Sequence, residues 1–253
     1  MTKLYDFDAI YPRRHTNSFK WNLYDPDVLP MWVADTDFHA PQPVIDALVA
    51  RAEHGIFGYQ FGSPDLKDIL VERFARLYGW QVAPDEIIFW PTLVSALNVT
   101  TKLYGTSGKS VLVQPPIYPP FLSAPHNYAL DLAYAPLTLI RSGQRLRYEI
   151  DFDAFEAAIT PDTRTFILCN PHNPVGRMYT RSDLERIAEI CLRHNIVVIS
   201  DDIHCDLILE PGLRHIPLAT ISPEIAARTV TLMAPSKTFN IAGLECGFAV
   251  VQD

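Results

Sequence analysis

Short apolar runs alternate along this chain with segments of helical periodicity, and that alternation constrains the fold more than any other feature. EIIFW (86–90), SVLVQ (110–114), TFILC (165–169), IVVIS (196–200), TVTLM (229–233) and FAVV (248–251) read as buried strands, and 128–134 as a weaker one. Between and before them, 43–54, 64–78 and 93–104 carry apolar residues at helical spacing. Asp151 caps a further helix to Ile159, and Thr180 or Ser182 caps another to His194. Strands without polar alternation, separated by amphipathic helices, predict an α/β fold whose mostly parallel sheet is covered on both faces. The first forty residues are rich in aromatics and proline with no clear period. They read as an extended arm that packs on a partner subunit. The division expected is an arm over 1–45 and a large domain over 46–253.

Bulk properties exclude several classes. A formal charge of −8 and a pI near 5.4 argue against a nucleic-acid footprint. The chain has no apolar run long enough to span a bilayer, and its first residues have no signal-peptide core, so a cytoplasmic location is expected. Cys169, Cys191, Cys205 and Cys246 lack CxxC spacing and read as free thiols, not as zinc ligands or disulfides.

In sheets of this kind ligands bind beyond the carboxyl ends of the strands. The polar motifs fall there: Pro115-Pro116-Ile117-Tyr118 after SVLVQ, Asn170 after TFILC, Asp201 after IVVIS, and Ser236-Lys237 after TVTLM. Lys237 alone reads first as a surface residue in a polar loop; a buried amine there would suit Schiff-base chemistry with a carbonyl. Asp201 is a buried carboxylate in need of a partner, or a helix cap. Asp202 would serve the same capping role, and His204 would face the same mouth if the loop turns. Asn170-Pro171-His172-Asn173-Pro174-Val175-Gly176 explains a turn without function, yet sets several donors at one spot. Tyr118, held between prolines, would stack on a planar ring or simply fill the core. Pro91 to Ser95 opens a helix, and helix N-termini hold phosphate. An amine, a carboxylate, a stacking ring, an amide donor and a helix N-terminus together are what pyridoxal 5′-phosphate (PLP) requires.

At these residues the chain resembles the fold-type I PLP-dependent enzymes. More narrowly, it resembles the cystathionine β-lyase/C–S lyase branch of the MalY/PatB type. The likeness rests on NSFKWN (17–22), DVLPMWVADTDF (27–38), HGIFGY (54–59), QPPIYPPF (114–121), LCNPHNPVGR (168–177), SDDIHCDL (200–207) and APSKTFNIAGL (234–244), in family order. The resemblance implies a three-layer PLP-dependent transferase large domain with an N-terminal arm. It implies that Lys237 holds the cofactor's aldehyde and later moves the Cα proton. Asp201 would pair with the pyridinium nitrogen, Asn173 with the ring's phenolic oxygen, and His204 would stand close by. Tyr118 would stack on the ring. Leu93 and Val94 backbone and the Ser236 hydroxyl would hold the phosphate. Tyr59 would reach the cofactor of a second copy, which implies a homodimer. Ala34 and Asp35 would lie near a small sulfur amino acid substrate.

The implied reaction is α,β-elimination from L-cystathionine or a related cysteine S-conjugate, giving a thiol, pyruvate and ammonia. Glu245 stands where many aminotransferases place a phosphate-binding arginine, and this favours lyase over transaminase. Ala234 replaces a frequent phosphate-binding serine. Asp202 replaces the more usual glutamate of SDEIH, a change expected to be neutral. The family continues past the position of Asp253 into a C-terminal small domain with a carboxylate-binding arginine, which is expected to be missing here. An aminotransferase of the same fold and a non-catalytic PLP-binding scaffold are the alternatives.

Overall fold

The computed structural model describes residues 5–59, 64–105 and 109–252. They pack as two compact units. One comprises 5–59 with Pro235–Glu245; the other comprises 64–234 with 246–252. The packing boundary thus falls beyond residue 45.

The first unit holds helices α1 (Phe19–Asn22) and α2 (Gln42–His54). Ser18 caps α1 through the Trp21 N–H, and Gly55 ends α2 in the left-handed region at φ 70°. The apolar residues of α2 have the helical spacing expected, but the helix buries none of them; Leu48 and Val49 stay exposed. Polar bonds organise the segment before it. Asp37 accepts from Lys20 Nζ (2.8 Å), Trp21 Nε1 (2.7 Å) and Arg13 (2.8 Å), and Arg13 also pairs with Asp35 at 2.7 Å. The expected arm is therefore a cross-linked turn structure with a short helix.

The second unit runs α3 (Pro64–Tyr78), β1 (Ile87–Trp90), α4 (Leu93–Tyr104), β2 (Ser110–Val113), α5 (Pro120–His126), β3 (Asp131–Tyr134), β4 (Thr138–Ser142), β5 (Arg145–Glu149), α6 (Phe152–Ala157), β6 (Thr163–Cys169), α7 (Arg181–Arg193), β7 (Val197–Asp201), α8 (Pro223–Ala226), β8 (Thr229–Met233) and β9 (Gly247–Val251). The main sheet has the order β1-β9-β8-β7-β6-β2-β3. All neighbouring pairs from β8 to β3 are parallel, and β9 is antiparallel to both β8 and β1. Two reversals leave β1 pointing the same way as β8, so all these strands except β9 end at one edge.

Alternate residues of each buried strand face opposite layers. Val111, Ile167, Ile199 and Leu232 pack under Leu97 of α4 and Phe121 of α5. Leu112, Phe166 and Val198 pack against Phe155 of α6, Ile187 of α7 and Ile225 of α8. Phe74 of α3 closes on Ile87, Met233 and Phe248. This is the three-layer α/β fold expected.

Three local readings need adjustment. Strand β3 begins at Asp131, because Ala129 turns the chain at φ 52°. The β4–β5 hairpin was not foreseen; Gly143, at φ 58°, makes its turn. Thr180, not Ser182, caps α7, in a capping box with Asp183. No helix among the described residues is long and apolar enough to cross a membrane.

Gly247 allows β9 to run hard against the start of α4. A Cβ there would stand 2.4 Å from Leu93 Cδ1 and 3.5 Å from the Leu93 nitrogen. Gly247→Ala is expected to displace Leu93 and cost about 1–3 kcal/mol, read from the urea unfolding midpoint.

Candidate active site

The polar residues lie at the carboxyl edge of the sheet, while the strands β6, β7 and β8 are otherwise buried except at Arg164 and, in part, Val197. Asp201 is the last residue of β7, one position inside the expected loop. It is 7% exposed, and its Oδ1 accepts the Ile203 N–H at 3.0 Å. That bond closes a turn, so Asp201 caps no helix. Its register partner is Cys169 on β6. Burial first, then the charge of Asp201, pushes the Cys169 thiol well above its usual range. The Tyr118 phenol is also raised, by burial and then by Asp201, which brings its ring within electrostatic reach of that carboxylate. Tyr118 packs edge-on against Phe121 at 5.9 Å but keeps 39% exposure, so it is not simply core.

The segment after β6 is tied in turn. Asn170 spans from the Tyr179 N–H to the Ile216 carbonyl. Cys169 Sγ accepts the Asn173 N–H at 3.3 Å. Asn173 and His204 share the wall of one cleft of about 470 Å³, with Met178, Leu207 and Leu213 supplying apolar lining. Buried His172 bonds Tyr179 and the Pro116 carbonyl, each at 2.9 Å. Burial lowers its pKa against the pull of nearby carbonyls, so the ring is neutral near pH 7.

At the far side of the same edge, Thr92 caps α4 by accepting the Ser95 N–H. Helix geometry leaves the Leu93 and Val94 N–H groups without an intrahelical acceptor. Leu93 is buried and Val94 partly exposed.

The remaining expected residues belong to the first unit. Lys237 and Ser236 are half-buried in a turn closed by Phe239 N–H to Pro235 O and Ile241 N–H to Ser236 O, both 3.0 Å. Lys237 is therefore less enclosed than expected. Asn240, at φ 54°, clamps this turn to the Ala34–Asp35 neighbourhood. Its side chain accepts the Thr36 N–H at 2.9 Å and donates to the Thr36 and Phe38 carbonyls. Ala34 is exposed, and the Asp35 carboxylate is taken by Arg13. Tyr59 projects fully into solvent. Glu245 is exposed and left-handed at φ 49°.

Asp202 is no cap. Wholly buried, it accepts from Ser200 Oγ at 2.5 Å and bonds His215 Nε2 at 2.6 Å. This pair closes the neck of the loop carrying His204 and the cleft wall. Sequence reading missed it, as it missed Asn240; only an asparagine before an apolar-Gly turn hinted at the latter.

Comparison with known proteins identifies the family and the fold. The family described as aminotransferase class I and II matches residues 27–253. Cystathionine beta-lyase PatB of Bacillus subtilis (strain 168) is 41% identical over 254 residues, which cover 98% of this chain and 64% of that protein. The crystal structure of OvoB aligns with a TM-score of 0.92 at 41% identity, over 98% of this chain and 64% of its own. The PLP-bound C–S lyase from Staphylococcus hominis aligns at 0.90 and 32% identity, over 100% and 64%. The chain thus spans 64% of the length of these relatives.

Asp202→Ala would leave His215 and Ser200 buried without their acceptor. The expected loss is about 3 kcal/mol in urea unfolding, with Asp202→Asn milder. In the first unit, burial opposes the charge of Asp37, yet bonds from Lys20, Trp21 and Arg13 outweigh it and hold the carboxyl below its usual 3.8. A folded pKa below the unfolded one means stabilisation that is complete above pH 3.8 and lost as pH falls through the folded value. Trp21 fluorescence should report this loosening in acid, and Asp37→Asn should abolish that transition.

Proposed function

The chain belongs to the aminotransferase class I and II family, and from that premise we propose that it acts as a PLP-dependent carbon–sulfur lyase on L-cystathionine or a related cysteine S-conjugate. One observation carries the reading. Asp201 and His204, Tyr118, Asn173 and the open start of α4 come from four separate strand ends at the carboxyl edge of one sheet.

The donor chemistry fits PLP. A buried carboxylate suits the ring nitrogen, an aromatic face suits the ring plane, and amide and imidazole groups suit the phenolic oxygen. Helix N–H groups and a hydroxyl suit the phosphate. When bound, PLP supplies an electron sink for the carbanion formed at the substrate Cα.

The protein's own residues then have distinct tasks. Asp201 keeps a proton on the ring nitrogen, because its low-exposure carboxylate is stabilised by a positive partner. Tyr118 and Asn173 hold the ring's plane and edge. Leu93, Val94 and Ser236 hold the phosphate. Lys237 supplies the amine for the aldehyde and takes the Cα proton. Ala34 and Asp35 border the substrate, with Asp35 neutralised by Arg13. Fully exposed Tyr59 and the uncovered apolar residues of α2 support a second copy as partner, with Tyr59 reaching that copy's cofactor.

Elimination is favoured over transamination by the names of the relatives, PatB and the Staphylococcus hominis C–S lyase. Glu245 supports the same choice. An exposed carboxylate cannot clamp a phosphate dianion.

The chain purified with PLP should show a visible cofactor band that Lys237→Ala abolishes. It should release pyruvate and a thiol from L-cystathionine without added keto acid. Lys237→Ala should slow that release by about 10²–10⁴-fold. A missing band would overturn the cofactor assignment. A band with keto-acid-dependent amino transfer and no thiol would identify an aminotransferase; a band without turnover would identify a binding scaffold.

A further inference from the structure

His172 stands one residue before Asn173, and its ring spans to the loop that carries Tyr118. Its Nε2 lies 2.9 Å from the Pro116 carbonyl oxygen, and its Nδ1 lies 2.9 Å from the Tyr179 hydroxyl. The Pro116 oxygen can only accept, so Nε2 must carry the proton. A neutral ring then has a bare Nδ1, which accepts from the Tyr179 hydroxyl. Burial pushes the Tyr179 phenol far up, so it remains a donor across the ordinary pH range. Each atom of this chain has one permissible role, and the bonds fix the imidazole plane.

Tyr179 is itself anchored. It is 1% exposed, its N–H donates to Asn170 Oδ1, and the Arg177 guanidinium lies over its ring at 5.3 Å. Arg177 is held by Asp183 at 2.9 Å, next to the α7 cap. The chain of contacts therefore runs from helix α7 through Tyr179 and His172 to the loop after β2. No backbone ladder reaches across there: the β2–β6 register ends at Leu112 and Phe166, well before Pro116 and His172.

We propose that His172 is a positioning residue, which sets Tyr118 against Asn173 by tying the loop after β2 to the turn after β6. The inference rests on the PLP reading above, because those are the residues assigned to the ring's face and edge. It adds a determinant of how tightly and in what setting the ring is held. It assigns no new contact with the ring.

The test is a double-mutant cycle read by PLP affinity and by the position of the visible band. His172→Phe should raise the PLP dissociation constant about tenfold and shift the band. His172→Gln should restore most of the affinity, because its amide can donate to Pro116 and accept from Tyr179. In a Tyr118→Ala background, His172→Phe should add little. Should His172→Phe not fold, Tyr179→Phe removes a single oxygen from the same chain and enters the cycle in its place. Unchanged affinity and spectrum in a folded variant, or full additivity with Tyr118→Ala, would overturn the inference. A wild type with no cofactor band would instead fail the PLP reading itself.

Discussion

A carboxylate at the sealed end of a parallel strand is the constraint on which the rest of the site depends. Asp201 terminates β7 between β6 and β8, with apolar layers on both faces. A charge there is costly unless something positive or hydrogen-bonding meets it. The Ile203 N–H satisfies one oxygen. Tyr118 lies within reach of the Asp201 charge, and the Asn173 turn follows Cys169, the register partner of Asp201 on β6. In the proposed function a protonated pyridine ring would meet this carboxylate, which would keep the ring an electron sink.

The neighbouring Asp202 shows the opposite solution. It points into the other layer and is fully satisfied by Ser200 and His215. Two adjacent acids therefore differ in their surroundings: Asp201 ends the strand beside Cys169, and Asp202 locks the loop that walls the cleft. His172 and Asn240 do comparable work elsewhere. Each is a polar side chain that joins segments distant in sequence where no backbone ladder can.

Much of this was legible in the sequence because it is local. The runs TFILC, IVVIS and TVTLM are buried strands, and 93–104 is a helix, since apolar continuity and helical spacing decide those without tertiary context. The polar residues at strand ends followed from strand polarity. What escaped depends on distance in sequence. Asp202 meets His215, and Asn240 meets Thr36, through folding alone. The β4–β5 hairpin has a weak pattern because its strands are mostly exposed. The apolar residues of α2 gave the helix but not its surroundings, since periodicity identifies an apolar face but not the surface that covers it.

The central claim is that Asp201 keeps the ring nitrogen protonated. The most direct measurement is the nitrogen NMR shift of PLP labelled at its pyridine nitrogen and bound to this chain at neutral pH. The account predicts a protonated nitrogen in the wild type and loss of that proton in Asp201→Ala. An unprotonated nitrogen in the wild type, or one indifferent to Asp201→Ala, would contradict it.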